Sequence, residues 1–117
     1  MAKFGRAMRM NNPRDYARVF RQAKRTSKGG LTILTVENSV GHHRLGLAIA
    51  KKHLKLATRR NRLKRIIRAS FRQHQPVFAN IDIVVLSRGD VSQREIAQIW
   101  VTLERHWQTV AAQWQKS

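Results

Sequence analysis

Between Glu37 and Asp82 the chain carries no acidic residue, while Arg44, Lys51, Lys52, Lys55, Arg59, Arg60, Arg62, Lys64, Arg65, Arg68 and Arg72 all fall inside that window. Local neutralisation is therefore excluded. Any helix formed there must gather its cations on one side and its apolar residues on the other. The stretch from Ala57 or Thr58 to about Gln73 meets that demand and is stopped by Pro76. At about 3.6 residues per turn, Leu63, Ile66, Ile67, Ser70 and Phe71 share one side, and Asn61, Arg65, Arg68 and Arg72 share the opposite one. Like charges at four-residue spacing cost a few tenths of a kcal/mol each. A partner carrying phosphates is the natural compensation, and the preference for Arg over Lys favours bidentate contacts with it. Asn61 can both donate and accept toward a base edge or ribose hydroxyl, although alone it reads equally as a helix-start residue.

The rest of the composition agrees. Lys and Arg number 24 against 6 Asp and Glu, a formal net charge of +18 in 117 residues. Solubility alone needs a net magnitude of roughly 2 to 8, so the excess points to a polyanion. A hydrophobic share of 42% suits one core and one domain over residues 1–117, with residues 1–11 as a basic, flexible arm. There is no cysteine, hence neither a disulfide framework nor a thiolate metal site. No apolar run approaches the ~20 residues needed to span a bilayer. Lys3, Arg6 and Arg9 are followed by Asn11, Asn12 and Pro13 rather than an apolar region, so no secretory signal is expected and a cytoplasmic location is the default.

Asn12 reads as the cap of a first helix, with Pro13 at its first position, Asp15 in the first turn and Tyr16, Val19, Phe20 and Ala23 at helical spacing. The pattern fails at Thr26 to Gly30, which reads as a turn or loop. Leu31–Asn38 and Arg44–Ala50 read as strands joined by a turn at Asn38–His43, and Ile81–Ser87 as a third, central strand because it is mostly apolar. A capping box with Ser92 as N-cap and Glu95 three residues on opens a last helix to about Gln115. Its apolar stripe is Ile96, Ile99, Trp100, Leu103, Trp107, Val110 and Trp114, and the tryptophans read as core. The order helix, strand, strand, helix, strand, helix defines an α+β two-layer sandwich, a small mixed sheet packed by helices.

Autonomous catalysis finds little support. His42 and His43 are adjacent in a turn, His53, His74 and His106 are isolated, and no pair has the helical spacing of a zinc site. Asp15, Glu37, Asp82, Asp90, Glu95 and Glu104 are scattered, whereas a two-metal nuclease clusters carboxylates around ions about 3.5–4 Å apart. Solvated surface residues explain these groups better. Gly29-Gly30 is a turn signal and not a phosphate loop. No catalytic residue and no protein-held metal are expected.

The stretch from Leu45 to Arg72, LGLAIAKKHLKLATRRNRLKRIIRASFR, resembles the signature region of the bacterial ribonuclease P protein family. It shows the small-residue strand, the Lys51-Lys52 pair, Lys55 and Ala57, and Arg60-Asn61-Arg62 followed by Lys64-Arg65, Arg68, Phe71 and Arg72. Asp15-Tyr16, Val19-Phe20 and Asp82-Ile83-Val84-Val85 resemble the flanking elements, so the likeness covers nearly the whole chain. It implies an RNA-binding accessory protein to a catalytic RNA that removes the 5′ leader from precursor tRNA by metal-dependent hydrolysis. Mg2+ would be required by the RNA-containing holoenzyme, and a membrane or small-molecule substrate would have no part. The implied RNA-subunit contacts are Arg59, Arg60, Asn61, Arg62, Lys64, Arg65, Arg68 and Arg72. The implied leader contacts are Tyr16 and Phe20, with Lys51 and Lys52 nearby; the spacing of Tyr16 and Phe20 fits core packing equally well. Family members often add an aromatic residue from the first strand, and Leu31–Asn38 contains none. The resemblance also implies a left-handed β–α–β crossover, an exception to the usual rule. A ribosomal-protein-like or RNA-chaperone role is the alternative that composition leaves open.

Overall fold

In a computed structural model that describes residues 9, 10, 12–74 and 80–114, the elements run α1 (Pro13–Gln22), β1 (Lys24–Lys28), β2 (Leu31–Glu37), β3 (Arg44–Ala48), α2 (Ala57–His74), β4 (Ile81–Ser87) and α3 (Ile96–Gln113). The expected α+β class stands. Asn12 caps α1 as read, its side chain accepting a hydrogen bond from the Arg14 amide at 2.9 Å, with Pro13 at the first helical position. Pro76, Gln115 and residues 1–8 and 11 of the arm lie outside the described residues. The end of the arm is docked rather than loose: Arg9 bridges Leu45 in parallel, and the buried Met10 donates its amide to the Leu45 carbonyl at 3.0 Å.

The sheet order is β1-β2-β4-β3, with β4 parallel to β3 and antiparallel to β2. β4 is thus interior, as its apolar run requires. The turn after β2 carries the chain across β4, and α2 returns it from β3 to β4. Sequence reading missed β1. Its residues are exposed or half-buried and show no apolar alternation, because an edge strand is held by backbone pairing with β2 more than by side-chain burial. Gly29 and Gly30, at φ 60° and 85°, make the two-residue turn that closes this hairpin, a conformation that glycine adopts without strain.

Helix α3 starts later than the Ser92 box implied. Gly89–Gln93 forms a 3-10 turn that buries Val91, and Glu95 is the true N-cap, in a reciprocal box with Gln98. Competition from Val91 for the core moves the helix start, while the motif reappears three residues on.

One face of the sheet carries Leu31, Ile33, Leu45, Ile81, Ile83 and Val85 against Leu63, Ile67 and Phe71 of α2 and Ile99, Leu103, Trp107 and Val110 of α3. Phe71 stands edge-on to both His43 and Trp107, and the Trp107 indole donates to Ser70 Oγ at 2.8 Å. Trp114 is half-buried, donating to Thr35 Oγ1 at 2.8 Å beneath the Lys24 ammonium. The other face, with Leu34, Val36 and Val84, receives Met10 and Val19 under α1.

Two histidines read as solvated are not. His43 packs on Phe71, and His106 is fully buried, its Nε2–H donating to the Lys28 carbonyl at 3.2 Å. His106 Nδ1 has no hydrogen-bond partner among the described residues. Burial lowers the His106 pKa below its ordinary value, with the nearby Lys28 charge acting the same way. The unfolded chain therefore binds the proton first, so His106 supports the fold fully above about pH 6.5 and this support is lost as pH falls below that value. The urea midpoint should fall between pH 7.5 and 5.5, and fall less in His106→Leu; equal pH dependence in both proteins would refute the assignment.

Candidate nucleic-acid interface

The interface is positioned by a buried ion network. Register places Arg44 of β3 opposite Asp82 of β4. Arg44 donates to both Asp82 oxygens, Nε to Oδ1 and Nη2 to Oδ2 at 2.8 Å each, and reaches Asp15 of α1 at 3.2 Å. Arg18 of α1 also pairs with Asp82, and Asn38 donates to it at 2.9 Å. Asp82 has no exposed surface. Its hydrogen bonds hold the Arg44 guanidinium above its ordinary pKa range. Three sequence readings change here: Arg44 is not an uncompensated cation, and Asp15 and Asp82 are not solvated. The partners lie far apart in sequence, so only the parallel pairing of β3 with β4 and the packing of α1 bring them together.

Helix α2 packs Leu63, Ile67, Ser70 and Phe71 inward, with Ile66 against the same core. Asn61, Arg65 and Arg72 are exposed on the far side. Arg68 departs from the ridge, lying half-buried beside Tyr16 and near Arg9. Burial, and next the Arg9 charge, lowers its pKa from the ordinary guanidinium value. Arg60 is engaged internally, donating through Nη1 to the carbonyls of Leu54 and Lys55 at 2.8 Å each. Arg59 donates to the Ser92 carbonyl at 3.3 Å.

Tyr16, Lys64 and Arg68 meet in a groove of about 140 Å³, lined also by Arg9, Met10 and Gly46. Tyr16 donates its hydroxyl to the Met10 carbonyl at 3.0 Å. Burial raises its pKa, opposed by the Leu47 amide and the Arg68 charge. Gly46 makes this approach possible, since a Cβ there would sit 2.6 Å from the Tyr16 hydroxyl. Residues expected in two separate roles thus share one groove. Phe20 is 50% exposed on α1, and Lys51 and Lys52 lie exposed in a turn after β3; none of the three lines this groove. Arg9 and Gly46 were not singled out from the sequence, and only the small-residue alternation of β3 marked the glycine's neighbourhood.

Five of the six carboxylates are engaged elsewhere, and the sixth, Glu37, stands exposed at the end of β2. Asp15 and Asp82 hold Arg44, Asp90 holds Arg94, Glu104 meets His74, and Glu95 caps α3. Among the described residues none of Arg59, Arg60, Arg62, Lys64, Arg65, Arg68 and Arg72 forms an ion pair with any of them. No three His, Asp or Glu side chains among the described residues stand together as metal ligands. No helix among them is long and apolar enough to cross a membrane.

A small basic α+β domain with an uncompensated helix face beside an aromatic groove defines a nucleic-acid-binding class. The chain matches the family model for Ribonuclease P over residues 4–111. It is 40% identical to the ribonuclease P protein component of Nitrosococcus oceani over 92% of each chain. The Staphylococcus aureus RNase P protein superposes with a TM-score of 0.82 at 29% identity, covering 91% of this chain and 96% of that one. The Thermotoga maritima RNase P protein gives 0.73 at 29% identity, over 89% and 96%. The chain belongs to the ribonuclease P protein family.

Proposed function

We propose that this chain serves as the accessory protein of a ribonuclease P, binding the catalytic RNA and the 5′ leader of precursor tRNA during endonucleolytic 5′ maturation. The observation that carries this reading is the cationic face of α2, left without an internal carboxylate partner and bordered by the Tyr16 groove. Arg59, Asn61, Arg62, Arg65 and Arg72 are assigned to the RNA subunit. Lys64 and Arg68 lie between that surface and the leader, where an unpaired base can stack on an aromatic face for about 1–3 kcal/mol. Phe20, Lys51 and Lys52 would meet leader nucleotides beyond the groove. Arg60 contributes by fixing the start of α2. Mg2+ is assigned to the RNA, and a cytoplasmic location goes with the role.

Reconstitution with a ribonuclease P RNA tests the proposal. The protein should stimulate precursor-tRNA cleavage at low magnesium. Arg65→Ala, on an exposed position, should keep the parent's circular dichroism while reducing the salt slope of RNA binding by about 1. Tight ribosomal RNA binding with no stimulation of cleavage would instead favour the ribosomal-protein-like role.

A further inference from the structure

Helices α2 and α3 begin side by side and leave an apolar slot of about 120 Å³ between them. Buried Leu63, Val91 and Ile99 form its floor, and Ile96, 36% exposed, stands at its lip. Arg59, Arg62 and Arg94 rim it. At about 100° per residue, Arg59 and Arg62 lie on the flank of α2 away from Lys64 and Arg68, so the slot is separate from the Tyr16 groove, while Arg62, about 60° from Arg65, borders the exposed ridge.

Size and charge together select an occupant. A cavity of roughly 150 Å³ takes one benzene ring, so this open slot suits one flat ring against aliphatic side chains and not a stacked pair. Arg94 is bound to Asp90 at 2.8 Å, and among the described residues the Arg59 guanidinium makes only the 3.3 Å bond to the Ser92 carbonyl. The Arg62 guanidinium has neither an ion pair nor a hydrogen bond among the described residues. An apolar protein side chain would fill the slot yet bring no anion to these guanidiniums. A nucleotide brings both a ring and a phosphate on either side of it, and Arg also stacks on bases.

We propose that the slot accepts one unstacked base of the RNA subunit, its flanking phosphates on Arg59 and Arg62. This rests on the accessory-protein reading and extends it: the RNA wraps the start of α2 and touches both flanks. A base inside a duplex cannot enter, so the partner nucleotide is single-stranded or bulged.

The test uses the full chain with ribonuclease P RNA. Ile96→Trp narrows the slot without altering charge and should weaken binding about tenfold, the order expected when one ring is no longer buried against aliphatic side chains, with an unchanged salt slope. Arg62→Ala should reduce the slope by about 1. Dimethyl sulfate probing should find one unpaired base that is protected by the parent and released by Ile96→Trp. Ile96→Gln serves as the second variant if circular dichroism shows the Trp variant misfolded. Parent-like affinity and protection in a folded variant would overturn the slot while leaving stimulated cleavage, and hence the accessory role, standing. A parent that neither binds the RNA nor stimulates cleavage would overturn both. A parent dimer in sedimentation that Ile96→Trp dissolves would assign the slot to a second copy of the chain and overturn the base assignment.

Discussion

Asp82→Asn should lower folding stability by about 3–5 kcal/mol, the range for removing one partner of a buried ion pair. The substitution keeps the side chain's shape but leaves Arg44, whose side chain is only 15% exposed, and Arg18 without their common anion. Urea denaturation should show a lower midpoint with little change in slope. A loss below about 1 kcal/mol would mean that water replaces the carboxylate freely, and that the network is not desolvated as its burial indicates. The functional effect should be selective. Asp82 ties α1 to the sheet through Arg18, and through Arg44 to Asp15, so its loss loosens the helix that holds Tyr16 over Gly46. Leader-dependent affinity should drop more than affinity for the RNA subunit, because α2 packs on the other face of the sheet.

Affinity for the RNA subunit should fall by about 10³–10⁵ between 50 and 200 mM monovalent salt, as expected for roughly 6–10 phosphate contacts. The basis is that no carboxylate of the described residues pairs with the cations of α2: cations without an internal partner release counterions from RNA in full. Filter binding across a salt series measures it. A flat dependence would remove electrostatics as the source of binding, and with it the role given to Asn61's neighbours Arg62 and Arg65.

Elements announced by local chemistry were readable in the sequence: the Asn12-Pro13 start of α1, the amphipathic run of α2 and the apolar run of β4. What was hidden depends on partners distant in the chain. β1 has no apolar signature of its own and exists because β2 offers a free edge. Val91 shifts the start of α3 because the core claims it. Within the interface, helical spacing correctly sent Asn61, Arg65 and Arg72 outward, yet it placed Arg68 with them. That side chain turns toward Tyr16 across the groove, a neighbour that helix periodicity cannot supply. The Arg44–Asp82 pair was concealed in the same way, since the absence of acids near Arg44 in sequence says nothing about the strand that lies beside it.

Arg60 has a consequence of its own. By bracing the two carbonyls ahead of α2 it makes the helix entry rigid before any polynucleotide arrives, so association need not freeze that segment and its entropy loss is smaller. A lysine there would have a point charge instead of a planar fork and a looser grip on both acceptors. Such a variant would keep its net charge and early encounter rate but let the complex come apart sooner.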